Sequence, residues 1–140
     1  MDNLSKEQRR RNMQNIKSTG TMPEKILAAA LRRQKIYFAQ NVPAVVGKPD
    51  FAFRRKKLAV FVDSDFWHGH PQRFVMPKTR VDYWRNKIEL NIIRDKSVNR
   101  ILRSNGWKVI RLWERDVKKD VDRCVKKIIK KLQADVDNRT

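Results

Sequence analysis

Three residues whose side chains can take part in hydrolysis stand close together in the sequence. Asp50 precedes a short apolar run, Asp63 ends the next one, and His68 follows within an aromatic segment. Two adjacent strands would bring them to one edge of a sheet, where carboxylates can hold a divalent metal ion and a histidine can act as a base. Because the chain carries a net charge of +19, the phosphate of a nucleic acid is the favoured substrate.

A divalent cation suits this chemistry. Hydrolysis of a phosphodiester requires charge neutralisation at the phosphate, an activated water and a proton for the leaving oxygen, and Mg²⁺ meets the first need through oxygen ligands. Asp50 stands at the start of a predicted strand, and the Val62 carbonyl beside Asp63 is a further oxygen ligand. His68 can move the proton, because an ordinary histidine pKa of about 6.5 allows both protonation states near neutrality.

Length and composition indicate one globular domain that binds a polyanion. With 40% hydrophobic residues, the chain can bury a core, so residues 1–140 are predicted to form a single domain. Its 34 Lys and Arg against 15 Asp and Glu favour a nucleic acid partner. The only cysteine, Cys124, lies in an apolar helical stripe and is expected in the core. With neither a membrane span nor a signal peptide in the sequence, we expect a cytoplasmic protein.

The predicted elements follow the order α-α-β-β-β-α-β-α, an α/β fold with a mixed sheet flanked by helices. Capping boxes at Ser5-x-x-Gln8 and Thr21-x-x-Glu24 predict helices that begin near residues 6 and 22. Hydrophobic periodicity and turn residues predict the remaining elements. These are a strand at 36–40, a hairpin of strands 50–53 and 58–62 with a basic turn, a helix over 80–105, a strand over 107–113 and a helix from about 116 to 133.

Short motifs of unusual residues run through nearly the whole chain. They are Asn12-Met13, Thr21-x-Pro23-Glu24, Gly47-Lys48-Pro49-Asp50, Val60-Phe61-Val62-Asp63, Phe66-Trp67-His68, Thr79-Arg80, Tyr83-Trp84, Lys87-Ile88, Arg94-Asp95, Gly106-Trp107 and Trp113-Glu114. The two acidic positions are similar to the Pro-Asp…(Asp/Glu)-x-Lys nucleases, but Asp63-Ser64-Asp65 stands where those have the lysine. From about residue 5 to 133, the series strongly resembles the very short patch repair (Vsr) endonucleases.

The resemblance implies a DNA-nicking enzyme of restriction-endonuclease-like fold. Members of that family recognise a T:G mismatch, left when 5-methylcytosine deaminates, and cut the strand just 5′ of the thymine. By matching position, Asp50 and the Val62 carbonyl would bind Mg²⁺, and Glu24 would act through metal-bound water. His68 would be the general acid/base, with Asp95 orienting its imidazole.

The same matching implies how the DNA is held. Phe66, Trp67 and Trp84 match an aromatic wedge that intercalates beside the mismatch, while Met13 matches a contact from the other groove. Wedging between bases costs about a few kcal/mol per step, and mismatched pairs are the cheapest to open. The predicted DNA contacts are Met13, Lys48, Phe66, Trp67, Arg80 and Trp84.

Several of these assignments have alternatives. Without the resemblance, the aromatic residues fit a hydrophobic core equally well, and Asp95 fits a surface ion pair. The basic run Lys6–Arg11, in the predicted arm of about residues 1–20, is either a solvated face or a phosphate-contacting segment. Asp63 is predicted at the metal site, where it either binds the metal through water or only shapes the loop.

The sequence departs from the family at the structural zinc, which cysteines and a histidine hold in its members. His70 stands at the histidine position, but the cysteine positions are taken by Asp65, Gln72 and Arg115. Because Asp65 and His70 are too few ligands for a closed tetrahedral site, we expect no structural zinc. The loop over 64–77 must then be held by packing and ion pairs, such as Asp65 with Arg115.

Two functions from different classes are compatible with the sequence. One is a Mg²⁺-dependent nicking endonuclease, and the other is a DNA-binding module of the same fold with altered specificity or lost cleavage. The presence of Asp50, His68 and Asp95 favours the enzyme. We expect a monomer that binds double-stranded, mismatched DNA. The resemblance also suggests work alongside a DNA cytosine methyltransferase and mismatch-repair proteins.

Overall fold

A computed structural model describes residues 21–66, 68–71 and 74–137, with the side chains of the last helix described as far as residue 133. The predicted N-terminal arm and its helix near residue 6 lie outside this part of the chain. The elements, in chain order, are α1 (Met22–Arg33), β1 (Ala39–Gln40), β2 (Phe51–Phe53), β3 (Leu58–Asp63), α2 (Val81–Ser104), β4 (Lys108–Trp113), α3 (Glu114–Lys119) and α4 (Val121–Asp137).

The predicted α/β fold with a mixed sheet is confirmed, but the first strand is shorter than predicted. The prediction placed it at 36–40, whereas β1 comprises Ala39–Gln40 alone. The residues that precede β1 instead terminate helix α1. Lys35 adopts a left-handed φ of 58°, and the Ile36 N–H donates to the Leu31 carbonyl at 3.0 Å.

The predicted closing helix consists of two helices. It begins earlier than expected, at Glu114 directly after β4, and is interrupted at Asp120. The Asp120 side chain accepts a hydrogen bond from the Arg123 N–H at 3.1 Å, which is how an N-cap residue starts a new helix. Helical periodicity did not reveal this break, since the residues on both sides of Asp120 keep the same apolar spacing.

The sheet has the order β1-β2-β3-β4, with antiparallel pairing between β1, β2 and β3 and parallel pairing between β3 and β4. The predicted hairpin is present, and its basic turn over 54–57 joins β2 to β3. Because β2 begins where β3 and β4 end, Asp50, Asp63 and Glu114 all lie at one end of the sheet. The turn with its four basic residues lies at the opposite end.

Helices cover both faces of the sheet. Leu58 and Val60 of β3 pack in a core with α1, α3 and α4, while Ala59 and Phe61 pack on the other face with α2. This explains why β3 is apolar throughout, since a strand covered on both faces has no solvent side. Cys124 is buried in the larger core, as predicted. No helix in the described part of the chain is long and apolar enough to cross a membrane.

Candidate active site

All four predicted catalytic residues meet in one cavity of about 260 Å³ at the carboxyl ends of β3 and β4. The cavity lies between α1, α2 and the loop that follows β3. Its lining includes the predicted residues Glu24, Lys48, Asp50, Val62, Asp63, His68 and Asp95. The sheet therefore joins side chains that are more than seventy positions apart along the chain.

One side of the cavity holds two neighbouring carboxylates, Asp50 and Glu24. Asp50 accepts a hydrogen bond from the Val62 N–H at 2.6 Å. Glu24 is 3% exposed and lies in the first turn of α1, which Thr21 caps by accepting a bond from the Glu24 N–H at 3.5 Å. Burial raises the pKa of Asp50 to about 7, opposed by the Val62 N–H and reinforced by the charge of Glu24 and a hydrogen bond with it.

The donor set on this side fits a hard divalent cation. The buried carboxylate of Glu24 and the half-buried one of Asp50 repel each other when both are charged, and a bound cation removes that cost. The N–H and C=O of a strand residue point to the same side, so the Val62 carbonyl faces the same direction as the N–H that binds Asp50. Carboxylate and carbonyl oxygens are the ligands that Mg²⁺ prefers.

The other side of the cavity carries a histidine–carboxylate pair. His68 Nδ1 lies 2.5 Å from Asp95 Oδ2, so the predicted dyad is present in the structure. Because Asp95 accepts a hydrogen bond from the N–H at Nδ1, the other ring nitrogen, Nε2, is left for a substrate. Burial alone would lower the pKa of His68, but the hydrogen bond to Asp95 and the charge of Asp63 outweigh it and raise that pKa above 6.5.

Asp63 has a partner that the sequence did not suggest. Its side chain is almost fully buried, and both carboxylate oxygens lie 3.2 Å from Nη1 of Arg111. Burial raises the pKa of Asp63, while His68 and Arg111 oppose that shift. Ligand atoms of Asp63, His68 and Asp95 also lie within 4.8 Å of one another, so this group could hold a metal ion. The predicted metal role of Asp63 stays a prediction.

Three charged residues of the cavity, Arg94, Arg111 and Glu114, were not predicted as site residues. Arg111 is opposite Phe61 in the parallel pairing of β3 and β4, and this register places it on the same sheet face as Asp63. Glu114, the residue after β4, has a pKa raised by burial, opposed by Lys118. The motif Trp113-Glu114 contains Glu114, but the sequence predicted no role for this residue. No signal in the sequence marked Arg111, because the register of two strands separated by a long helix cannot be read from either strand.

The predicted aromatic wedge forms part of a separate cluster beside the cavity. Half-buried Phe66 packs edge-on against Trp84 with ring centroids 5.4 Å apart and lies 5.7 Å from Phe74. Tyr83 packs on Trp84, and Arg80 lies over the Tyr83 ring at 4.5 Å. Two aromatic residues, Phe74 and Tyr83, thus join the predicted ones. Trp67 and Met13 lie outside the described residues.

The loop over 64–77 contains residues at the positions where family members hold zinc. In its described part, ring packing and backbone hydrogen bonds hold this loop. His70 is buried against the Trp113 ring, with centroids 4.5 Å apart. The His70 N–H donates to the Asp65 carbonyl at 2.9 Å, and the His68 N–H donates to the Ser64 carbonyl at 3.1 Å. These contacts fix the chain on both sides of His68, the predicted general acid/base. Gln72, at another of the zinc positions, lies outside the described residues.

The mixed sheet and its cavity are those of a nuclease of the restriction-endonuclease-like class. The family model described as DNA mismatch endonuclease Vsr matches residues 1–73. The type II nicking enzyme V.NmeDIP of Neisseria meningitidis serogroup C is 44% identical over 130 residues, which are 91% of this chain and 88% of that protein. V.HpaIIP of Haemophilus parainfluenzae, also a type II nicking enzyme, is 41% identical over 88% of this chain and 89% of its own.

The DNA mismatch endonuclease Vsr of Escherichia coli (strain K12) is 35% identical over 107 residues, covering 76% of this chain and 69% of that protein. The chain therefore belongs to the Vsr family and is a DNA endonuclease. Its family membership and its enzymatic class, both predicted from the motifs, are confirmed.

Proposed function

We propose that this endonuclease nicks one strand of double-stranded DNA at a T:G mismatch, 5′ of the thymine, in a Mg²⁺-dependent reaction. The observation that carries the proposal is the pairing of two units in one cavity, the Asp50–Glu24 carboxylates and the His68–Asp95 dyad. The names of the relatives support both parts, because some are nicking enzymes and one is a mismatch endonuclease.

The residues of the cavity divide the work of hydrolysis. Asp50 and the Val62 carbonyl would hold Mg²⁺ with Glu24 close by, and the ion, when bound, neutralises charge on the phosphate and makes a water more acidic. His68 transfers the proton through Nε2. Asp95 accepts a hydrogen bond from Nδ1–H and so keeps the imidazole in the tautomer and orientation that this transfer needs.

The DNA would be held by charge and by aromatic rings. Lys48 lines the cavity and can meet a phosphate near the scissile bond. Phe66 and Trp84 are packed as a unit, which suits a wedge that must keep its shape while it separates two base pairs. Arg80, which lies over the Tyr83 ring of the same aromatic cluster, would add a cation that can contact the DNA backbone. A net charge of +19 strengthens the contacts of Lys48 and Arg80 with phosphates.

We further propose that the protein acts as a monomer in the cytoplasm, on the product of a DNA cytosine methyltransferase system and alongside mismatch-repair proteins. The support is chemical for the methyltransferase, because a T:G pair arises where a methylated cytosine loses its amino group. For the repair proteins the support is the resemblance alone.

A panel of labelled duplexes that differ only in the central base pair tests the function. Each is incubated with Mg²⁺ or with EDTA, and both strands are followed separately. We expect one nick, 5′ of the thymine, in T:G duplexes with Mg²⁺ only, and nicking that is about 10²–10⁴-fold slower with His68→Ala. Tight binding of the T:G duplex without cleavage under any metal condition would instead favour a DNA-binding module. Equal cleavage of T:G and T:A duplexes would contradict mismatch recognition.

A further inference from the structure

Arg111 contacts both acidic residues that surround the catalytic histidine. Its Nη1 lies 3.2 Å from both carboxylate oxygens of Asp63 and 3.5 Å from Oδ1 of Asp95. Its Nη2 donates to the Asp95 backbone carbonyl at 3.5 Å, and its Nε donates to Asn99 Oδ1 at 2.8 Å. One guanidinium therefore joins the end of β3 to two successive turns of α2.

The surroundings restrict the guanidinium to this one orientation. The guanidinium carbon, Cζ, lies 4.1 Å from the centroid of the Phe61 ring, so the guanidinium stacks on that ring in a cation–π contact. The side chain is 18% exposed, and each of its three nitrogens faces an acceptor. A planar guanidinium whose nitrogens all face acceptors forms a fixed fork of donors that orients carboxylates. The ammonium of a lysine, at the end of a flexible chain, orients them less well.

These contacts divide the oxygens of Asp95 between two partners. Oδ2 accepts from His68 Nδ1, and Oδ1 faces Arg111. Rotation of the Asp95 carboxylate would break both contacts, so fixing one oxygen also fixes the other. Asp63 anchors the same guanidinium from the opposite side and lies 3.8 Å from His68 Nε2.

We propose that Arg111 is a positioning residue for cleavage, which orients the Asp95 carboxylate and through it the His68 imidazole, with Asp63 as its second anchor. The inference deepens the proposed function and rests on it. A role in binding phosphate is less compatible with the structure, because the nitrogens of Arg111 already face protein acceptors and most of the side chain is buried.

The test compares Arg111→Lys, which keeps the charge but loses the fork, with Asn99→Ala, which removes only the acceptor of Nε. Arg123→Lys, at an exposed position on α4, is the matched control. Single-turnover nicking rate, duplex affinity and melting temperature are measured for all three. Misplacement of a catalytic group by about 1 Å can cost about 100-fold, so we expect Arg111→Lys to nick about 10–100-fold more slowly with unchanged affinity. Asn99→Ala should lose about 2–5-fold by the same argument, and Arg123→Lys nothing.

A second readout does not need cleavage. His68 and His70 are the only histidines, so long-range ¹H–¹⁵N spectra report each imidazole separately. Arg111→Lys should shift the nitrogen signals of His68 and leave those of His70 in place. If the wild type nicks no duplex, the proposed function fails while this spectrum still decides whether Arg111 positions His68.

Three outcomes would overturn the proposal. A folded Arg111→Lys that nicks within about twofold of the wild type shows that the fork is dispensable. A loss that appears wholly in duplex affinity assigns Arg111 to DNA binding. Unchanged His68 signals in the folded variant show that Arg111 does not orient the imidazole. If Arg111→Lys does not fold, Asn99→Ala decides, and wild-type rates and spectra for that variant overturn the proposal.

Discussion

The two sides of the cavity surround their main carboxylates, Asp63 and Asp50, with different neighbours. On the Asp63 side, Arg111 and the imidazole of His68 oppose the effect of burial. On the Asp50 side, the neighbour is another carboxylate, Glu24, and the pKa of Asp50 rises to about 7. Burial acts on both, so the difference lies in the charges of the neighbouring groups. The Asp63 side contains its own cation, Arg111, whereas the Asp50 side has a second carboxylate instead and fits the proposed metal ion.

The comparison assigns a separate task to each side. In the proposed function, the Asp50 side would hold the metal ion and the His68 side would transfer the proton. Strand β3 contributes to both sides, because the backbone N–H of Val62 binds Asp50 while the side chain of Asp63 contacts Arg111.

The largest expected effect is on the metal side. Asp50→Asn keeps the shape of the side chain but removes the charge, so it should reduce Mg²⁺-dependent nicking by about 1,000-fold or more, since a catalytic metal ion supplies several kcal/mol of transition-state stabilisation. Affinity for the mismatched duplex should stay within about threefold, because most of it comes from other contacts. Asp122→Asn, at an exposed position on α4, is the control. Cleavage by Asp50→Asn at close to the wild-type rate would remove Asp50 from the metal site.

On the proton side, His68→Ala should lower the nicking rate by about 10²–10⁴-fold, the usual range for a general acid–base group. Asp95→Asn should lose less, because in the proposed function Asp95 acts only through its hydrogen bond with His68 Nδ1. Single-turnover rates across a range of pH measure both. An Asp95→Asn variant as active as the wild type at every pH would show that the dyad has no catalytic role.

The stability of the metal-free protein should also distinguish the two sides. Burial raises the pKa of Asp50 from 3.8 to about 7, so between these values the folded protein binds a proton that the unfolded chain has released. Wild-type stability therefore falls as the pH rises through this range. Asp50→Asn should be nearly neutral at about pH 4 and should stabilise by roughly 2–4 kcal/mol at about pH 8. Urea unfolding in EDTA measures this difference, and equal stability of the two proteins at the higher pH would contradict it.

A smaller effect is expected outside the cavity, in the aromatic cluster. Stacking of a base on an aromatic ring is worth about 1–3 kcal/mol, so Phe66→Ala should weaken binding to a mismatched duplex by about tenfold or more. Phe38→Ala is the matched control, because half-buried Phe38 packs edge-on against Phe51 in the core. The control should lower the melting temperature without changing affinity for the mismatch. If Phe66→Ala behaved in the same way, Phe66 would be a core residue.

The sequence predicted the cavity residues of the β2–β3 hairpin better than those around them. Asp50, Val62 and Asp63 border apolar strands of one hairpin, and the short turn between β2 and β3 fixes how those strands pair. Local sequence therefore determines where these residues meet. The position of Arg111 depends on the parallel register of β3 and β4 across the 24-residue helix α2, and no local pattern records that register.

The same distinction explains the other differences in the fold. Periodicity could predict that the residues after β4 are helical, but the break at Asp120 depends on one side-chain hydrogen bond. Likewise, the motifs identified Phe66 and Trp84 as a pair, whereas the contacts with Phe74 and Tyr83 required the loop and α2 in place.

The division of labour between the two sides is tested most directly by the Mg²⁺ dependence of single-turnover nicking in His68→Ala. If the metal side and the proton side have separate tasks, this variant should have a much lower maximal rate but reach half of it at the same Mg²⁺ concentration as the wild type. A large increase in the Mg²⁺ concentration that it requires would place His68 among the metal ligands and contradict the account.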